Sequence, residues 1–66
     1  MTGYDGIAYA VGDRIEIHPG TDLWMSGARY GDVVGESLTP GDRVRVTLDR
    51  TGGKVWTGPE DRFRKV

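Results

Sequence analysis

The chain writes one phrase twice. Val11-Gly12-Asp13-Arg14-Ile15-Glu16-Ile17 and Pro40-Gly41-Asp42-Arg43-Val44-Arg45-Val46-Thr47-Leu48 each pass through a turn and an Asp-Arg pair into alternating residues. A strand sends successive side chains to opposite faces. Val44, Val46 and Leu48 therefore share one face, and Arg43, Arg45 and Thr47 the other. In the earlier copy Ile15 and Ile17 point inward, and Arg14, Glu16 and His18 outward. Neither copy carries a helical period. The fold has to be assembled from short strands and the turns between them.

The rest of the chain falls into order around these two strands. The first strand covers residues 14–18 and ends at Pro19-Gly20. Residues 19–29 form a long loop, in which Thr21-Asp22 is placed to cap one helical turn through Leu23-Trp24-Met25. Tyr30–Glu36 reads as the second strand. Gly31 and Gly35 inside it predict close backbone approach, a bulge or strong bending. Val33 is expected inward, with Val34 partly buried on the other side. Ser37-Leu38-Thr39-Pro40-Gly41 turns into the third strand, 43–48. The turn through Gly52-Gly53 leads to a fourth, Lys54-Val55-Trp56-Thr57. Gly58-Pro59-Glu60-Asp61 breaks the ladder and suits one 3₁₀ turn. Phe63 then plugs the core, and Arg64-Lys65-Val66 pairs as a short last strand. Residues 1–9 form either an irregular arm or, through Ile7-Ala8-Tyr9, a short edge strand; residues 10–66 form the domain proper.

At 66 residues there is one domain at most. A chain of this size buries only about 60% of its unfolded surface. Disulfides often compensate, but there is no cysteine, so stapling must come from tight β packing or from association. The same absence excludes cysteine-based metal sites, and a lone His18 cannot make a multi-histidine one. No metal or other cofactor is expected. No apolar run approaches the roughly 20 residues of a membrane helix, and Met-Thr-Gly-Tyr-Asp-Gly does not read as a secretion signal. The expectation is a soluble, cytoplasmic protein. With no helix of useful length, the expected fold is all-β: five short strands that lose their edges by closing into a small barrel.

This pattern resembles the SH3-like barrels, including their KOW and Tudor-type members, over about residues 10–66. The resemblance rests on Val11-Gly12-Asp13-Arg14-Ile15, Tyr30-Gly31-Asp32-Val33-Val34, Arg43-Val44-Arg45-Val46, Val55-Trp56 and Pro59-Glu60-Asp61-Arg62-Phe63. It implies five strands with a 3₁₀ turn before the last. Such a fold hosts many unrelated functions. Peptide-binding SH3 domains carry an acidic first loop and a Trp-Trp pair; here the loop has only Asp22 and the tryptophans are isolated. Gly12-Asp13-Arg14 and Leu38-Thr39-Pro40 are similar to the plasmid-type dihydrofolate reductase, but its Val-Gln-Ile-Tyr stretch has no match near Val55-Trp56-Thr57-Gly58. That activity does not carry over. In style the chain also resembles short Gly/Asp/Arg/Val-rich proteins of actinobacteria and their phages.

Two constellations compete for a function. Trp24, Met25, Tyr30 and Trp56 form an aromatic patch that could grip a protein partner or a second copy of the chain. If Val55 is inward, period two turns Trp56 out and makes it the better ligand candidate. Arg43, Arg45, Lys54, Arg62, Arg64 and Lys65, with Trp56 beside them, form a basic and aromatic strand face suited to nucleic acid. Net charge is −1, but residues 1–40 carry net −4 and residues 41–66 net +3, which predicts two electrostatically different surfaces if the fold keeps the halves apart. His18 with Asp13, Glu16 or Asp22 could be drawn as an acid–base pair, yet no nucleophile or phosphate-cradling loop accompanies it. The reading is a non-catalytic interaction module that binds protein. Nucleic-acid binding is the alternative. An enzyme would need an oligomeric pore to build a site that one chain cannot.

Overall fold

A computed structural model describes residues 1–66. The strands are β1 (Arg14–Ile17), β2 (Tyr30–Thr39), β3 (Asp42–Leu48), β4 (Val55–Gly58) and β5 (Phe63–Lys65). One helical turn, α1 (Asp22–Met25), follows β1, and a 3₁₀ turn (Glu60–Arg62) precedes β5. The strands make a single antiparallel sheet in the order β4-β3-β2-β1-β5. The protein is all-β, as its sequence predicts, and the order is compatible with an SH3-like fold. The sheet is not closed into the expected barrel: no ladder joins β4 to β5. The outer edge of β5 is occupied instead. Tyr4 N–H donates to the Phe63 carbonyl at 3.0 Å, where a closing strand would pair. No helix is long and apolar enough to cross a membrane.

The sheet curls rather than lying flat, giving extents of 24 × 22 × 21 Å around one core. Its alternation supplies that core. Val44 and Val46 are fully buried, Leu48 nearly so, and Arg43 and Arg45 are exposed on the other face. Val46 lies opposite Val33 on one side and Trp56 on the other, so one apolar row crosses three strands. Ile15, Ile17, Phe63, Tyr9 and Ala28 complete the buried set. Truncating Phe63 to Ala would cost about 3–5 kcal/mol, a large share of the stability of so small a domain.

The glycines of β2 act as the sequence predicts. A side chain on Gly31 would collide with the Thr47 carbonyl, and one on Gly35 with the Arg45 guanidinium. Between them the register slips: Val33 faces Val46, but Gly35 faces Arg45. Val34 is the extra residue; it lies on the face opposite Val33 and is 42% exposed, partly covered as expected. β2 also runs on to Thr39, absorbing residues that read as a turn.

The phase of β4 differs from expectation. Val55 is 50% exposed, while Trp56 packs against the core. Pairing Thr47 with Val55 puts Val55 on the outward face, so its neighbour must point in. Burying an indole removes far more apolar surface from water than burying an isopropyl group, so this register wins.

Residues 1–9 fold into a small ribbon. Thr2 bridges Ala8, Gly3 N–H donates to the Ile7 carbonyl at 2.9 Å, and Tyr9 N–H to the Met1 carbonyl at 2.9 Å. Tyr9 enters the core and its hydroxyl donates to the Glu60 carbonyl.

Candidate functional site

The loop between β1 and β2 is held rigidly by local chemistry. Thr21 is the N-cap of α1: its Oγ1 accepts from Trp24 N–H at 3.3 Å. At the other end Gly27 sits at φ +103°, in the left-handed region that favours glycine. Its N–H donates to the Trp24 carbonyl at 3.1 Å, and Ala28 N–H to the Leu23 carbonyl at 2.9 Å. This pair of bonds is the standard glycine closure of a helix end. Buried Ala28 and half-buried Leu23 anchor the turn inward. Trp24 also packs in part against the core, which leaves Met25 as the large apolar residue of the turn that faces out. Trp24 is half-buried, and Met25 is 79% exposed.

Three neighbours complete the surface. Trp24 and Tyr30 lie with ring centroids 6.4 Å apart, tilted by 58°. The Arg29 guanidinium lies 4.8 Å from the Trp24 ring centroid, and its Nε donates to the Trp24 carbonyl at 3.4 Å. Trp24, Met25 and Tyr30 are thus brought together as expected, with Arg29 added. Beside them opens a cleft of about 410 Å³ lined by Gly27, Arg29, Tyr30, Asp49 and Arg50. The turn after β3 is tied to β2 there, because Asp49 N–H donates to the Tyr30 carbonyl at 2.8 Å. Arg50 has φ +66°, the one non-glycine residue in the left-handed region, where a Cβ is strained. Its guanidinium lies over Gly27. Asp49 is engaged by Arg14, which also bonds Asp32 at 3.2 Å.

Trp56 does not belong to this surface, contrary to the sequence expectation. It lies on the inner side of β4, with Lys54 Nζ 4.3 Å from its ring centroid. Its indole N–H is buried without a hydrogen-bond partner.

The basic residues are scattered. Arg43 and Arg45 share the outward face of β3 as predicted, and Arg45 Nε donates to the Glu36 carbonyl at 3.1 Å. Lys54 follows the indole of Trp56 rather than the arginines. Arg62 lines a groove with Ile17 and Leu23. Arg64 is held by Glu16, and Lys65 lies 3.9 Å from Asp13, on a strand separated from β3 by two others. The acidic and basic halves of the chain interleave, since β2 pairs with β3 along its length.

A second polar cluster was invisible to periodicity. Glu16 is on the outward face of β1 yet only 7% exposed. Tyr4 donates its hydroxyl to the carboxylate at 2.9 Å, and Arg64 its Nε at 2.6 Å. Burial pushes this carboxyl up, but the bonds from Arg64 and Tyr4 outweigh burial and hold it below the usual carboxylate range. His18 meets the Tyr4 ring edge-on at 4.8 Å, and its Nδ1 accepts from Gly20 N–H at 2.9 Å. None of the carboxylates considered as its acid–base partner bonds to it. Arg29, Asp49, Arg50 and Tyr4 were the site residues missed in the sequence. The only signal was an arginine beside an aromatic at 29–30 and another in a glycine-rich turn at 50.

No known protein family, no characterised protein and no solved structure matches this chain.

Proposed function

We propose that this domain is a non-catalytic interaction module that binds a protein partner on Trp24, Met25, Tyr30 and Arg29. One observation carries the reading: Met25, at 79% exposure, stands beside the Trp24–Tyr30 pair on a turn closed at both ends. The closed turn fixes the backbone under Met25 and Trp24, so binding costs little chain entropy there, and aromatic and arginine anchors such as Trp24, Tyr30 and Arg29 supply most of the energy of protein interfaces. The strand order and the 3₁₀ turn before β5 support reading the scaffold as SH3-like, opened along one seam. The absence of cysteine suits a cytoplasmic setting. Trp56 is left out of the binding surface, because the register of β4 turns it to the inner side of the sheet, whereas Trp24 pairs with Tyr30 and Arg29.

Random peptides displayed on phage and selected on the folded domain test this reading. Selected peptides should lose binding on Met25→Glu and keep it on Leu38→Glu, which changes an apolar residue 98% exposed near the end of β2. A second copy of the chain as partner would show as concentration-dependent sedimentation removed by Met25→Glu. Selection of no peptide sensitive to Met25, together with a clean monomer, sinks the proposal. Salt-sensitive binding of short DNA or RNA lost on Arg45→Glu would move the function to nucleic acid instead.

A further inference from the structure

We infer that the cleft between α1 and the turn after β3 receives a carboxylate side chain of the partner, so that the module recognises an acidic residue next to an apolar one. This rests on the interaction reading above and names the chemistry of its partner. The cleft is lined by two guanidinium groups, Arg29 and Arg50, and neither forms an ion pair within the molecule. Arg29 spends its Nε on the Trp24 carbonyl and its face on the indole, which leaves its terminal nitrogens as donors. Arg50 lies over Gly27, where the missing side chain gives it room. Asp49, the one carboxylate in the lining, is already bonded to Arg14 and cannot serve both arginines.

Charge selects the ligand. Arg14 is shared by Asp32 and Asp49, so three guanidinium groups, Arg14, Arg29 and Arg50, stand against two carboxylates, a net of +1, which one further carboxylate balances. A phosphate dianion would overfill it. A nucleic-acid strand would need a continued basic track, whereas the neighbouring Arg14 is committed to Asp32 and Asp49. Planar guanidinium forks match a carboxylate in geometry as well as charge. The frame is also fixed in advance. Gly27 is closed against Leu23 and Trp24, and Asp49 N–H is bonded to Tyr30. Arg50 is held at a positive φ that costs energy, as strained residues at binding sites are. Tyr30 lines the same opening, and Trp24 packs against both Tyr30 and Arg29 with Met25 next to it in the turn, so an apolar neighbour of the acidic residue lands on this side.

The phage-selected peptides decide the matter. The expected result is enrichment of Asp or Glu beside an aromatic or aliphatic residue. Changing that acid to its amide in a synthetic peptide should weaken binding about tenfold, the scale of one charge-assisted hydrogen bond. Arg50→Gly, which relieves the strained backbone and so keeps the domain folded, should give a similar loss. In the Arg50→Gly protein the acid-to-amide change should lose most of its effect, which a merely structural role for Arg50 would not produce. Peptides that need Met25 but show no acidic preference, and bind Arg50→Gly as tightly as wild type, overturn this inference and leave the interaction reading standing. No Met25-dependent peptide at all removes both. Displacement of the peptide by millimolar inorganic phosphate but not by acetate would overturn the carboxylate assignment in favour of a phosphate.

Discussion

Two clusters on this small molecule each combine arginine with a tyrosine, and they have opposite fates. Around Glu16 every group is matched from within. Tyr4 and Arg64 both bond to the carboxylate, and the N-terminal ribbon covers it to 7% exposure. Around the cleft, Arg29 and Arg50 face outward with aromatic and backbone neighbours but no carboxylate of their own. The difference teaches how to separate structural charge from functional charge here. Charge satisfied inside the chain holds two segments together. Charge held in a rigid frame and left unmatched is available to something else.

The sharpest way to break this contrast is charge reversal on each side. Glu16→Lys would place a cation against Arg64 in a covered position and should cost about 2–3 kcal/mol. For a domain this size that lowers the melting temperature by more than about 10 °C. Arg50→Glu in the open cleft should shift stability by no more than about 0.5 kcal/mol. Equal melting shifts for the two variants would erase the distinction.

Acidity provides the next test. The Glu16 carboxyl is held below its unfolded value of 4.5, chiefly because hydrogen bonds from Arg64 and Tyr4 outweigh the cost of burial. The folded state therefore takes up this proton less readily than the unfolded chain. The stability it contributes is present above pH 4.5 and is lost as pH falls through the lower folded value. Denaturant midpoints measured across this range should fall less steeply for Glu16→Gln than for wild type. At the alkaline end Tyr9 gives the mirror case. Burial, then the charges of Glu60 and Asp61, push its hydroxyl up from 10.0 to about 12. Its contribution is complete below pH 10 and disappears as pH rises to about 12, and Tyr9→Phe should flatten that limb.

The smaller effects concern the frame of the cleft. Gly27→Ala forces a Cβ into a left-handed position and should destabilise by about 1 kcal/mol in chemical unfolding. Arg50→Gly should work the other way, raising stability by about 0.5–1 kcal/mol while weakening acidic peptides. A variant that gains stability and loses binding would be the plainest sign that the strain serves the site.

Much of this architecture is readable from local pattern. Arg43–Leu48 alternates so strictly that β3 and its buried face follow directly, and Thr21 with Gly27 brackets α1 within a few residues. β4 was harder. It has four residues after a Gly-Gly turn, with Val55 and Trp56 adjacent, and a one-residue shift swaps which is buried. The register to Thr47 decides it, and that register is a tertiary property. The burial of Glu16 was not legible at all, because its cover comes from Tyr4 and Arg64, 12 and 48 residues away. The cleft failed to show for the same reason. Arg29 and Arg50 lie in separate loops, and only the ladder between β2 and β3 brings them to one opening.

The two indoles give the molecule a built-in optical readout. Trp56 keeps its N–H out of water, so its emission should lie toward the blue and move red only when the sheet comes apart. Trp24 shares its ring face with a guanidinium at the rim of the opening, so its emission should respond to whatever settles there. Replacing Trp24 by Phe leaves a fluorophore that follows unfolding. Replacing Trp56 by Phe leaves one that follows occupancy. Folding and binding can then be followed as separate colours, without attaching a dye to a chain that has no cysteine to carry one.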